Sequence, residues 1–208
     1  MGVTQQVDEE MVRRAVAVLR GGGLVAYPTD TVYGLAADAT NDAAVERLFA
    51  AKQRRADQSM PLLIASPHEL AQVAAEVPEV AERLIAAFWP GGLTIVLRKA
   101  ASFHSRAIIG ETVGLRVPDH AAPRELVRLL GGPITGTSAN LAGGPQPLTA
   151  DDVRGQLGDA VDLVIDGGRC AGERPSTVVD CSASPPRIVR EGAITREELV
   201  RAAGMQFA

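Results

Sequence analysis

The 208-residue sequence has two cysteines, Cys170 and Cys181, in no C-x-x-C pair. That argues against a zinc-finger or disulfide-framework fold and leaves two reduced thiols as the expectation. Aromatic residues make up only 3%, so the core must rest on Val, Leu, Ile and Ala, and platforms for stacking nucleic-acid bases are scarce. The three histidines, His68, His104 and His120, have no metal-ligand spacing. No stretch fits G-x-x-x-x-G-K-[ST], and no G-x-G-x-x-G opens a helix after a strand, so any nucleotide must be held by a less common arrangement. The apolar runs are too short and too broken by Gly, Pro and charge to span a bilayer. The polar, acidic start up to Glu10 is not a signal peptide. Neither repeats nor a linker divide the chain, and one domain over 1–208, with its core at about 10–195, is expected in the cytoplasm.

What is present is a chain with 46% hydrophobic residues, enough for a sizeable core, and a formal net charge of −4, which speaks against a general nucleic-acid coat but not against a local basic pocket. Asp8 can cap a helix carrying Met11, Val12, Ala15, Val16 and Leu19, ended by Gly21-Gly22-Gly23. A strand over 24–27 breaks at Pro28. A second helix starts at Asn41 or Asp42 and ends at Lys52, followed by a polar loop over 53–60 that is expected to be mobile and to close over a bound nucleotide. Strands are predicted over 61–65, 93–97, 113–117, 133–137, 162–166, 176–180 and 187–190, and helices over 68–76, 78–88, 124–130, 150–157 and from Thr195. The last strands lie too close together for parallel crossovers throughout, so a mixed sheet follows.

Several stretches carry polar chemistry. Lys52-Gln53-Arg54 sets two cations at a helix end, where the dipole alone would favour them. Ser138-Ala139-Asn140 offers a hydroxyl and an amide just after a strand, suited to phosphate or metal-bound oxygens or to a structural turn. Gly136-Thr137-Ser138-Ala139-Asn140 imitates a nucleophile elbow but lacks its last glycine, and no histidine follows His120, which excludes a serine hydrolase order. Pro28 to Leu35 reads as a loop of hydroxyls or as a locally capped turn. Arg116 lies within the apolar Val113 to Val117, where a charge is costly unless paired; it is either a buried ion pair or a clamp on carboxylate or phosphate. Arg190 follows Ile188-Val189 and reads as a second cation on a buried strand.

Taken in order, Tyr27 to Leu35, Lys52-Gln53-Arg54, Phe88-Trp89-Pro90-Gly91, Gly114 to Pro118, Thr137 to Leu141, Asp166-Gly167-Gly168, Ser176 to Asp180 and Arg190-Glu191-Gly192 resemble the YrdC-like threonylcarbamoyl-AMP synthases. That resemblance implies a twisted open α/β fold with a mixed sheet, flanking helices and a deep basic cavity. It implies a nucleotidyltransferase joining L-threonine, bicarbonate and ATP into threonylcarbamoyl-AMP and pyrophosphate, the activated intermediate for tRNA t6A37 modification. By motif, Lys52 and Arg54 would be catalytic and would hold ATP with Thr112, Ser138, Asn140 and Arg190, while Thr31, Arg116, Gly136 and Ser176 would seat threonine. Mg²⁺ would arrive on the ATP phosphates with no dedicated protein ligand. Lys52→Ala and Arg54→Ala would cost activity without unfolding the chain.

The family usually has Pro where Arg55 stands and a shorter loop after it, so Met60 and Ala65 are only the nearest positions to its loop contacts. Gln146 stands where a nucleotide-contacting serine is common. The chain resembles the short, stand-alone form, with a tRNA threonylcarbamoyl-transferase complex as its downstream partner. An RNA-binding module with weak affinity for one stem, and the carbamoyl-adenylating domain of hydrogenase-maturation proteins, are the competing readings.

Overall fold

The computed structural model describes residues 8–55, 57–172 and 174–208. Asp8 accepts hydrogen bonds from the backbone N–H groups of Glu10 and Met11, satisfying two of the otherwise unpaired donors at the start of α1 (Glu9–Arg20). Val12, Ala15, Val16 and Leu19 recur at helical spacing and pack with Leu126 and Val127 of α5 (Ala121–Leu130) on Val25, Tyr27, Leu63 and Ile165.

Two mixed sheets meet along one strand. In the smaller, β1 (Val25–Tyr27) runs antiparallel to β2 (Gly34–Ala36) and parallel to β8 (Leu163–Val164), and β2 pairs antiparallel with β7 (Thr137–Ser138). The larger has the order β10 (Arg187–Arg190), β9 (Thr177–Asp180), β4 (Leu93–Arg98), β5 (Thr112–Arg116), β3 (Leu62–Leu63), β6 (Ile134–Thr135). Here β4 is parallel to β9 and antiparallel to β5, so the mixed character read from the crowded last third is found. Strands β6 and β7 are separated only by Gly136, where the chain passes from one sheet to the other. A side chain there would meet Leu63 Cδ2 at 2.9 Å and the Pro61 carbonyl oxygen at 3.2 Å, and the Gly136 N–H donates to that oxygen at 2.7 Å. The absent Cβ is what lets this connecting segment run so close to Leu63 and Pro61.

Alternation along the larger sheet decides what faces where. Leu93, Ile95 and Leu97 of β4, Val113 and Leu115 of β5, and Val179 of β9 are buried in the main core. That core is closed by α2 (Asp42–Ala51), α4 (Glu79–Phe88), α6 (Ala150–Leu157) and α7 (Arg196–Ala203), which contribute among others Leu48, Leu84, Val153 and Leu199. The alternate residues, Thr94, Val96, Thr112, Gly114, Arg116 and Val178, together with Ser176 just before β9, are left on the opposite face.

Three readings change. The 28–35 stretch is not only a loop: its end, from Gly34, is a strand, because Leu35 and Ala36 pair with β1 and are fully buried. The predicted 68–76 helix is a 3₁₀ turn, Pro67–Glu69, followed by the single turn α3 (Leu70–Val73). Strand β10 lies at a sheet edge and Arg190 is exposed rather than buried, since among the described residues no strand pairs with the outer side of β10.

Candidate functional site

The face left free by the main core walls a cavity of about 400 Å³ where the two sheets meet. Its charged lining residues are Arg54, Arg116 and Arg190, and among the described residues no Asp or Glu lines it. Between the arginines stand Thr29, Thr31, Thr94, Thr112, Thr137, Ser138 and Ser176. Arg54 and Arg190 have no carboxylate partner among the described residues, and with Arg116 and the neutral hydroxyls they make a site for an anion with several oxygens.

One cluster is built around Arg116. Its Nη2 meets Asp30 Oδ1 at 2.6 Å, its Nε donates to the Gly91 carbonyl at 2.8 Å, and its Nη1 donates to Thr31 Oγ1 at 3.2 Å. The two readings of this residue therefore coincide: it is a buried ion pair and it also lines the cavity. The Trp89-Pro90-Gly91-Gly92 turn supplies the Gly91 carbonyl, and the Trp89 indole N–H anchors that turn by donating to Leu93 O at 2.7 Å. Thr31 is held in turn by Thr29, whose hydroxyl accepts from the N–H groups of Thr31 and Val32 and donates to Val32 O. Arg190 folds back onto Ser176, donating to its carbonyl from Nε at 3.1 Å and from Nη2 at 2.8 Å. Desolvation, and then the nearby Arg116 charge, lower the Arg190 pKa.

The second cluster joins segments that lie 86 and 88 residues apart. Lys52, the C-cap of α2, is only 2% exposed. Its Nζ donates to the Ser138 carbonyl, to the Asn140 carbonyl at 2.6 Å and to Asn140 Oδ1 at 3.4 Å. Burial, and then the Arg54 charge, push the ammonium down to about 8. Asn140 Oδ1 also accepts from Ser138 Oγ at 2.5 Å, and its Nδ2 donates to Gly144 O and Pro145 O. Arg54 is different. Its Nη2 donates to Ser59 O at 3.0 Å, while its Nε is buried with no hydrogen-bond partner among the described residues.

Ten of the twelve residues singled out from sequence line the cavity: Thr31, Arg54, Met60, Thr112, Arg116, Gly136, Ser138, Gln146, Ser176 and Arg190. Lys52 and Asn140 do not; they stand behind the wall and tie its segments together. Ala65 is away from the cavity, its N–H donating to Glu69. Of the 53–60 loop, Ala56 lies outside the described residues; Ser59 is tied to Ile109, and the Met60 N–H donates to Ala107 O. Thr94, Val96 and Val178 were missed. Their signal was the strand alternation, which puts them opposite Leu93, Ile95 and Val179, but it could not say that this face borders a cavity.

A family model, Sua5_yciO_yrdC, described as telomere recombination, matches residues 17–192. The chain belongs to the Sua5/YciO/YrdC family. It is 40% identical over 206 residues to the threonylcarbamoyl-AMP synthase of Pyrococcus abyssi, covering 98% of this chain and 60% of that protein. It is 36% identical over 187 residues to the threonylcarbamoyl-AMP synthase of Vibrio cholerae, covering 88% of this chain and 98% of that protein. The crystal structure of P. abyssi Sua5 complexed with L-threonine matches with a TM-score of 0.90 at 38% identity, over 97% of this chain and 60% of that one. The chain thus spans about three-fifths of the archaeal relative and nearly all of the Vibrio one. Among the described residues, no helix is long and apolar enough to cross a membrane.

Proposed function

We propose that the chain is a threonylcarbamoyl-AMP synthase, a nucleotidyltransferase that converts L-threonine, bicarbonate and ATP into threonylcarbamoyl-AMP and pyrophosphate. The observation that carries this reading is the cavity that holds Arg54, Arg116 and Arg190 together, of which only Arg116 is paired with a carboxylate, Asp30, among the described residues. Relatives at 36–40% identity bear that name, and one of them has been solved with L-threonine.

In this reading Arg116, oriented by Asp30, pairs with the threonine carboxylate, and Thr31 and Ser176 complete the pocket beside it. The threonine amine takes up bicarbonate as a carbamate with loss of water. A carbamate oxygen then attacks the ATP α-phosphorus, and pyrophosphate leaves from the opposite side. No protein nucleophile is required, so the protein contributes position and charge neutralisation. Arg54 and Ser138 face the phosphates, with Met60, Thr112 and Gln146 along the nucleotide. Arg190, hydrogen-bonded to Ser176, is placed to meet charge developing between the two substrates. Lys52 and Asn140 act by holding the Ser138 segment in place. Mg²⁺ enters as the ATP complex, since the described cavity lining supplies no carboxylate for it. The product would pass to a tRNA threonylcarbamoyl-transferase complex.

The test is pyrophosphate release from ATP with and without L-threonine and bicarbonate, with the adenylate detected by mass. Release that requires both co-substrates supports the synthase. Release that requires neither refutes it in favour of plain ATP hydrolysis.

A further inference from the structure

Behind Ser176 stands a residue that no motif singles out. Thr94 of β4 is 2% exposed, and its Oγ1 lies 2.8 Å from Ser176 Oγ. The pairing fits the register: β4 and β9 are parallel with Thr94 opposite Val178, so Ser176, two residues before Val178, shares the face of Thr94 as its diagonal neighbour. Its methyl group lies toward Gly114, where an added Cβ would come within 3.4 Å of it.

Either hydroxyl can donate in that bond. Ser176 Oγ also accepts from Arg190 Nη2 at 3.2 Å, and Thr94 Oγ1 has Ser176 as its one hydrogen-bond partner among the described residues. Both side chains line the cavity, so whichever hydroxyl accepts keeps its own proton for the cavity. In both arrangements Thr94 Oγ1 and the Arg190 guanidinium hold Ser176 Oγ from two sides.

We propose that Thr94 is a positioning residue that holds Ser176 Oγ at the place where it meets the polar groups of the amino-acid substrate. The assignment rests on the synthase reading. It adds Thr94 to the pocket: the hydroxyl that fixes Ser176 comes from β4, and its loss acts through Ser176.

The experiment compares Thr94→Val, which keeps the shape and removes the hydroxyl, with Thr94→Ser, which keeps the hydroxyl. Each is made alone, and the valine change is also combined with Ser176→Ala. The readout is threonine-dependent pyrophosphate release with threonine and ATP varied separately. Thr94→Val is expected to raise the threonine KM about tenfold with the ATP KM within about twofold, and Thr94→Ser is expected to restore most of the loss. The double variant is expected to be no worse than Ser176→Ala, because Thr94 acts only through Ser176. An unchanged threonine KM in Thr94→Val overturns the proposal. So does a serine variant as impaired as the valine one, or a double variant whose losses add. Thr94→Ala carries the same expectations should the valine protein fail to fold. Wild-type protein without threonine-dependent release would overturn the synthase reading and this assignment with it, an outcome separate from wild-type activity that Thr94→Val leaves intact.

Discussion

Replacing Lys52 with alanine should unfold the protein more readily, where sequence alone predicted loss of activity with the fold intact. Three contributions set the size. Removing the buried stem forfeits about three methylenes at about 0.8 kcal/mol each, because the residue is only 2% exposed. The Ser138 and Asn140 carbonyls each lose a donor, at about 1–3 kcal/mol apiece, whereas Asn140 Oδ1 keeps its bond from Ser138. Against these, burial holds the ammonium at about 8 rather than 10.5, so removing it relieves about 3 kcal/mol at about 1.4 kcal/mol per pKa unit. The balance is about 1–5 kcal/mol of destabilisation, or roughly 2–20 °C in Tm for a chain of this length. Urea denaturation followed by Trp89 fluorescence reads it directly, since Trp89 is the single tryptophan and sits in the core. A midpoint matching wild type within about 0.5 kcal/mol would refute the reasoning: Lys52 would then be free of the 138–140 segment and available to a phosphate.

Arg54→Ala makes the contrasting case. With a buried, unpartnered Nε and one bond to Ser59 O, it should stay within about 0.5 kcal/mol of wild-type stability while pyrophosphate release falls at least tenfold; a large drop in urea midpoint would contradict this. Gly136→Ala should cost about 1–3 kcal/mol by overpacking, because its Cβ would meet Leu63 at 2.9 Å; an unchanged thermal midpoint would show that Leu63 yields more easily than this contact implies. His120 caps α5 by accepting from the Ala122 N–H through Nδ1, and burial lowers its pKa below 6.5. The unfolded chain therefore takes up this proton first as pH falls from 6.5, and about 1 kcal/mol of cap stability should be lost as pH drops through the folded pKa. His120→Asn, which caps without titrating, should flatten that part of the stability–pH curve, and an unaltered curve would remove His120 as its source.

Much of this protein is written locally along the chain. Asp8, Asn41 and Thr195 announce helices because a short oxygen side chain before an apolar period can meet the free N–H groups of the first turn. The alternation of Leu93, Ile95 and Leu97 marks a strand with one buried face, and the ordered motifs named ten residues that line one cavity. What tertiary structure decided was partnership. That Lys52 faces two carbonyls 86 and 88 residues away instead of solvent, that Asp30 neutralises Arg116, and that Thr94 meets Ser176 all depend on which strands lie side by side. Position 136 needs glycine only because Leu63 and Pro61, far away in sequence, crowd it. Hydrophobic period and capping act over a few residues and can be read from neighbours in sequence. Hydrogen-bond partners across a sheet are set by register, which exists only once the whole core has been assembled.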